Sequence, residues 1–141
     1  MKRVIIDINV IMDLALERNG FKAAEKAIDS CVRGKFKGYV CSHEITTLAY
    51  LLQRHFQTKR VKYFLREILD IFEVLPATGE TLKSALDSKI KDYEDAVIEV
   101  SALENKVDYI VTRNLKDFKN SRVEALSPEE FILTDAIIET K

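Results

Sequence analysis

The sequence of 141 residues is poor in cysteine, proline and glycine, and it lacks tryptophan. Its two cysteines, Cys31 and Cys41, form neither a CxxC pair nor a disulfide framework, which predicts buried thiols in a reducing, cytoplasmic setting. With two prolines, four glycines and no low-complexity stretch, the chain has no segment with the composition of a linker. We therefore expect a single domain over residues 1–141.

Long apolar runs are lacking as well. No run approaches the roughly 20 residues that a membrane-spanning helix needs. Asp7, Asp13 and Glu17 interrupt the richest stretch, and Asp7 breaks the run that follows Lys2 and Arg3. Neither a membrane helix nor a signal peptide is predicted, and no membrane partner is expected.

A strong charge of one sign is also absent, because the formal net charge is −1. That balance argues against a protein that coats duplex DNA by bulk electrostatics. It does not argue against a nuclease, since an acidic metal site contributes negative charge that bound cations neutralise. The G-x-S-x-G, P-loop and G-x-G-x-x-G motifs are missing, so a serine-hydrolase elbow and the common nucleotide-binding loops are not indicated.

Short apolar segments typical of buried strands alternate with helical patterns along the chain. The predicted strands are 4–6, 38–41, 71–75, 109–111 and 123–125. The predicted helices are 10–17, 21–31, 43–56, one that Thr58 begins as its cap, 92–105 and 129–139. The predicted helix caps are Asn9, Ser42, Thr58, Asp92 and Ser127. This alternation predicts an α/β fold with a parallel sheet that helices cover on both faces.

Acidic side chains stand where a predicted strand ends or a helix begins. Asp7 ends the first strand, and Asn9 caps the following helix, although Asp7 could itself be only a cap. Asp92, Glu94 and Asp95 open a buried helix, where a capping box explains one carboxylate but not three acids in four residues. Such positions meet at one edge of an open parallel sheet. Carboxylates gathered there repel one another unless a cation joins them, and oxygen ligands suit Mg²⁺ or Mn²⁺.

Three further acids are ambiguous in the sequence. Asn114 and Asp117 follow a predicted strand, but their spacing is equally that of a helix cap and its third residue. Glu44 is either a surface acid that stabilises the first turn of its helix or a further metal ligand. Asp13 is interpreted as structural. The two histidines lack a partner at the spacing of a zinc site and are interpreted as surface or structural residues.

In combination these segments resemble the PIN-domain family of metal-dependent ribonucleases, which includes the VapC-type toxins. The resemblance rests on Ile6-Asp7-Ile8-Asn9-Val10, Glu94-Asp95-Ala96-Val97, Val111-Thr112-Arg113-Asn114, Asp117-Phe118 and the closing segment 126–131. It implies a three-layer α/β/α sandwich around a five-stranded parallel sheet. It also implies a site of three or four acids that binds one or two Mg²⁺ or Mn²⁺ ions.

The resemblance matches Asp7 and Asp95 to two acids of the family, and Asp117 or Asn114 to another. Thr47 stands where many relatives carry a glutamate, and Glu44, one turn earlier on the same helical face, is the expected substitute. The residues expected to bind metal or act in catalysis are Asp7, Glu44, Asp92, Asp95 and Asp117. The residues expected to support these ligands without binding the metal are Asn9, Thr47, Thr112 and Asn114. The expected contacts to RNA phosphates are the basic residues that flank the acids, namely Lys89, Lys91, Arg113 and Lys116.

The expected function is metal-dependent hydrolysis of RNA, and we expect that RNA to be single-stranded. The protein is expected to resemble a toxin that forms homodimers and binds an antitoxin. An apolar helix face serves such a partner or the ordinary core, and it comprises Val61, Phe64, Leu65 and Ile68. One alternative is a degenerate PIN module that binds RNA or a protein without cleavage, which Thr47 favours. Another is a phosphotransferase-like protein with Asp7 as nucleophile. Such enzymes usually carry a second aspartate where this chain has Asn9.

Overall fold

The computed structural model describes the backbone of residues 1–140 and the side chains of residues 1–136. Strands and helices alternate along most of its length, as the sequence predicts. The strands are β1 (Arg3–Ile6), β2 (Lys37–Cys41), β3 (Glu73–Leu75), β4 (Tyr109–Val111) and β5 (Glu124–Leu126). The helices are α1 (Ile8–Ala15), α2 (Phe21–Val32), α3 (Ser42–Gln53), α4 (Thr58–Ile71), α5 (Gly79–Ala85), α6 (Tyr93–Glu104) and α7 (Pro128–Thr140), with a 3₁₀ turn at Leu115–Phe118.

The five strands form one parallel sheet in the order β3-β2-β1-β4-β5. The chain builds outward from β1 through β2 to β3 and then returns to place β4 on the other side of β1. In this register Ile5 pairs with Tyr39, and Ile6 pairs with Val111. The strand order reverses between β1 and β4, and in open α/β sheets the ligand crevice lies beyond the carboxyl ends of strands at that reversal.

Helices cover both faces of the sheet because successive residues of a strand point to opposite sides. Val4 and Ile6 pack in a core cluster with residues of α1, α2, α3, α4 and α7, whereas Ile5 packs in a second cluster with α5 and α6. The predicted three-layer α/β/α sandwich is therefore confirmed. Among residues 1–140, no helix combines the length and the apolarity that crossing a bilayer requires.

Three predicted helix caps are wrong, and one of them, Thr58, is already the first residue of α4. Asp7, and not Asn9, is the residue that precedes α1, and the Asp7 carbonyl oxygen accepts from the Val10 amide at 3.0 Å. Ser42 is already the first residue of α3, and its hydroxyl oxygen accepts a hydrogen bond from the Ala77 amide at 3.0 Å. Ser42 thus ties α3 to the chain that follows β3.

Other elements confirm or extend the prediction. Ser127 and Glu130 form the predicted capping box at the start of α7, with hydrogen bonds of 3.1 and 3.0 Å. Strand β3 is shorter than predicted because Ile71 still belongs to α4. Helix α5 was not predicted, and a capping box of Thr78 and Thr81 begins it.

Candidate metal centre

Asp7 lies at the carboxyl end of the central strand, where the strand order reverses. Its side chain is 1% exposed, and its backbone amide donates to the Val111 carbonyl at 3.0 Å. The buried Thr112 hydroxyl donates to Asp7 Oδ2 at 2.8 Å and accepts from the Asn114 amide at 3.0 Å. In the part of the chain that the structure describes, the Asp7 carboxylate receives no capping hydrogen bond from α1. Its orientation is therefore set by β4 and the following residues.

Glu44 in the first turn of α3 is the second buried acid of the site. It is 1% exposed, so the alternative of a surface acid is wrong. Burial raises the pKa of Glu44 well above its usual range, and the negative charge of Asp7 and a hydrogen bond to Asp7 raise it further. One oxygen, Glu44 Oε1, is buried and has no partner among the described residues. The raised pKa therefore favours the neutral form of Glu44, and one of its buried oxygens remains open.

Asp95 in the first turn of α6 is the acid at which the others meet. Burial raises its pKa to about 7, and the charges of Asp92, Asp7, Asp117 and Glu94 add to this shift in that order. Like charges act at this strength only across short distances. The structure thus brings together the acids that the sequence predicts from remote segments of the chain.

Asp92 and Asp117 are the exposed members of this group. Asp92 is the predicted cap of α6, and its Oδ1 accepts from the Asp95 amide at 3.0 Å. Asp117 lies in the 3₁₀ turn after β4, and its backbone amide donates to the Asn114 carbonyl at 3.0 Å. The backbone of Asn114, through Thr112, therefore links this turn to Asp7.

Two residues of α3, Thr47 and His43, contact Glu94 on α6. The Thr47 hydroxyl donates to Glu94 Oε2 at 3.4 Å, so the position expected to hold a glutamate does face the acids. His43 Nε2 lies 3.0 Å from the Glu94 carbonyl oxygen, which can only accept, so this nitrogen donates. His43 thus links the two helices that carry Glu44 and Asp95, while its Nδ1 is buried and has no hydrogen-bond partner among the described residues.

The donor set fits a hard divalent cation. The six carboxyl groups that influence one another here belong to Asp7, Glu44, Asp92, Glu94, Asp95 and Asp117. Oxygen donors are what Mg²⁺ and Mn²⁺ prefer, and Glu44 contributes a buried oxygen that has no hydrogen-bond partner among the described residues. Among the described residues, no three acidic, histidine or cysteine side chains stand close enough to hold an ion as they are. A cation would have to draw the repelling carboxylates together.

The basic residues predicted to contact phosphate lie in two different surroundings. Lys89, Lys91 and Lys116 line one pocket together with Asp92 and Asp117. A fourth lysine of this pocket, Lys119, was missed because it lies beyond the acidic motif in the sequence.

Arg113, in contrast, is bound to α1 and to the loop after it. It forms an ion pair with the buried Asp13, which also pairs with Arg18 at 2.9 Å, and it donates to the Asn19 carbonyl at 2.8 Å. Gly20 leaves space for it, since a Cβ there would lie 2.9 Å from Arg113 Nη1. A phosphate contact by Arg113 would have to break or share these bonds. Asp13 has the structural role that the sequence analysis gives it.

Comparison with known proteins identifies a family and two solved structures of similar fold. The profile of the PIN domain family matches residues 3–116, a range that includes Asp7, Glu44 and Asp95 and stops just before Asp117. A similar solved structure is FitAB bound to an IR36 DNA fragment, with a TM-score of 0.71 and 16% identity over 89% of this chain and 94% of that chain. Another is VapBC2 from Rickettsia felis bound to a DNA fragment from its promoter, with a TM-score of 0.69 and 15% identity over 89% and 98%. No curated protein matches the sequence significantly.

Proposed function

This chain belongs to the PIN-domain family, and on that premise we propose that it is a metal-dependent ribonuclease that hydrolyses phosphodiester bonds of single-stranded RNA. The observation that carries the proposal is the convergence of Asp7, Glu44 and Asp95 at the reversal of strand order, without a basic side chain to neutralise them. That last statement concerns the described residues. Buried acids without counter-charge are costly, and a cation that joins them removes the cost.

A bound Mg²⁺ or Mn²⁺ would lower the pKa of an attacking water and neutralise charge on the phosphate oxygens. Asp7, which Thr112 holds in place, and Asp95 would be its fixed ligands. Glu44, whose pKa is raised by burial and by Asp7, would have to be ionised to join them, which makes binding depend on pH. Asp92 and Asp117 are exposed at the outer side and would hold water or a second ion.

The direct test is cleavage of a single-stranded RNA with Mn²⁺ by the wild type and by Asp7→Asn. The variant keeps the shape of the side chain but removes its charge, so we expect activity to fall by at least about 100-fold. Asp70→Asn, a change at an exposed position on α4, is the matched control and should leave activity unchanged. Equal activity of wild type and Asp7→Asn would remove Asp7 from the mechanism.

A second candidate function is a PIN module that binds RNA or protein without cleavage. The observation that favours it is Thr47, which faces Glu94 where the family resemblance implies a glutamate. Calorimetric titration with Mn²⁺ separates the two functions, because a binding-only module should take up metal poorly. Saturable Mn²⁺ binding that Glu44→Gln abolishes would favour the nuclease, whereas no uptake by the wild type would favour the binding module.

We also propose that a small antitoxin protein silences this chain, as the resemblance to the VapC-type toxins implies. A groove of about 220 Å³ between α1, α3 and α4 supports this proposal. Its lining is mostly apolar and comprises Leu14, Ala15, Leu52, Phe56, Arg60, Val61 and Phe64. The apolar face predicted on α4 thus divides, because Val61 and Ile68 are buried in the core while Phe64 and Leu65 are only half-buried.

Co-purification with the product of a short neighbouring gene tests the antitoxin. Phe64→Glu places a charge in the groove and should abolish the complex. Tyr63→Glu changes the adjacent residue, which is 67% exposed on α4, and should not. Equal retention of the partner by both variants would exclude the groove as the binding site.

A further inference from the structure

A basic pocket of about 290 Å³ adjoins the acidic site. It lies between the segment that leads into α6 and the 3₁₀ turn that follows β4. Four lysines line it together with Asp92 and Asp117, namely Lys89, Lys91, Lys116 and Lys119. Within the described part of the chain, none of these lysines forms an ion pair. The pocket therefore carries an excess of positive charge that the fold itself does not use.

One buried carboxylate anchors segments next to both walls of this pocket. Glu99 Oε1 accepts from the Ser88 hydroxyl at 2.7 Å, and Ser88 in turn accepts from the Ile90 amide at 3.1 Å. On the other side, Glu99 Oε2 accepts from the Arg122 amide at 2.8 Å, and Oε1 accepts from the Arg122 guanidinium at 3.0 Å. Glu99 is fully buried on α6, one turn beyond Asp95. The pocket is consequently held in a fixed relation to the acidic site before any ligand arrives.

We propose that this pocket binds a phosphate of the RNA backbone that neighbours the phosphate being cut. The proposal rests on the proposed function, because it places the cut phosphate beside Asp7 and Asp95. Asp92 and Asp117 belong to both the acidic group and the pocket lining, so a strand that passes the acids reaches the lysines next. The volume is at the lower end of small-ligand sites, about 300 Å³, which suits a phosphate and its sugar. Lysine ammonium groups bind phosphate as point charges and do not read the base.

The test measures binding separately from cleavage. A fluorescent single-stranded RNA is titrated by anisotropy against full-length Asp7→Asn protein, so that the oligonucleotide stays intact. Lys91→Gln/Lys119→Gln in this background should weaken binding about tenfold and flatten the salt dependence of the binding constant. Lys26→Gln/Lys62→Gln, at exposed positions on α2 and α4, is the matched control with the same change of charge. It should change binding little.

A neutral methylphosphonate, moved one position at a time along the RNA, locates the contact. At one position beside the cleavage site, it should weaken binding to Asp7→Asn but not weaken binding further in the Lys91→Gln/Lys119→Gln background. Additive losses at every position, or equal binding by the pocket and control variants, would overturn the pocket while leaving the nuclease intact. If the parent protein neither binds nor cuts RNA, the proposed function and this inference fail together.

Discussion

Two buried glutamates of this fold have opposite electrostatic surroundings. Glu99 on α6 is 0% exposed and Glu44 on α3 is 1% exposed. Burial alone would raise the pKa of Glu99, but hydrogen bonds from Arg122 and Ser88 lower it below its usual value. Burial raises the pKa of Glu44, and the adjacent Asp7 raises it further. The two glutamates are equally buried, but Glu99 is neutralised by Arg122, whereas Glu44 has no basic partner among the described residues.

Apart from Asp7, which belongs to the same site as Glu44, the other buried acids among the described residues resemble Glu99. Asp13 is paired with Arg18 and Arg113, and Asp135 on α7 is paired with Arg33 and Lys35. A chain that matches its buried charges so consistently departs from that pattern at the one edge where sheet topology favours a ligand. This exception supports a cation site at that edge. It can be tested by making the same substitution, glutamate to glutamine, at Glu44 and at Glu99.

The largest expected effect is on catalysis. Glu44→Gln should lower kcat for RNA cleavage with Mn²⁺ by about 100-fold, because the amide cannot supply the second buried negative charge to a cation. Glu99→Gln should leave kcat nearly unchanged and raise KM, because only the lysine pocket loosens. Steady-state kinetics of both variants check this. If the two substitutions lower kcat equally, the contrast between the two glutamates has no bearing on function.

The next largest effect is on stability, where Glu99→Gln is expected to be the more damaging of the two substitutions. Glu99→Gln removes the anion that Arg122 and Ser88 bind, so we expect a loss of about 2 kcal/mol in the free energy of unfolding. Glu44→Gln replaces an acid whose raised pKa favours the neutral form by a neutral group of the same shape, so it should cost little. Urea denaturation with EDTA at neutral pH measures both. A larger loss for Glu44→Gln than for Glu99→Gln would mean that Glu44 is needed for the fold.

A third prediction concerns pH in the absence of metal. The pKa of Asp95 is 3.8 in its unperturbed form and about 7 in the folded protein, chiefly because of burial. Since the folded state binds this proton more tightly, the contribution of Asp95 to stability is full below the lower value and is lost as pH rises toward 7. Glu99 acts in the opposite sense, because its lowered pKa gives a contribution that is lost as pH falls.

Urea midpoints measured with EDTA between about pH 4 and pH 8 test this sign. The wild type should lose stability over the upper part of that range, and Asp95→Asn should lose less. Mn²⁺ affinity should rise over the same range, because a bound cation must displace the proton. An identical pH profile for wild type and Asp95→Asn would show that the pKa of Asp95 is not raised in the folded protein.

Much of the fold and part of the site could be predicted from local sequence. Apolar runs that end on Asp7 or precede Thr112 mark central parallel strands, and three acids at the start of α6 exceed what capping needs. The partner of Glu44 could not be predicted, because its contact with Asp7 depends on how α3 packs beside β1. For the same reason Lys119 and the anchoring role of Glu99 became visible only when their segments were placed side by side.

The smallest expected effect tests whether Glu44 replaces the glutamate that the family resemblance implies at position 47, where this chain has Thr47. Thr47→Glu adds a carboxylate beside Glu94, so it should strengthen Mn²⁺ binding by less than about tenfold, or 1.4 kcal/mol. Without metal, the same charge should lower stability by repulsion. Thr46→Glu, on the exposed neighbouring residue, is the matched control for charge and helix position. A gain of more than about tenfold (1.4 kcal/mol) that is specific to position 47 would mean that the site is short of one ligand. A smaller gain, or equal gains at both positions, would mean that Glu44 has taken over that role and that the remaining acids suffice.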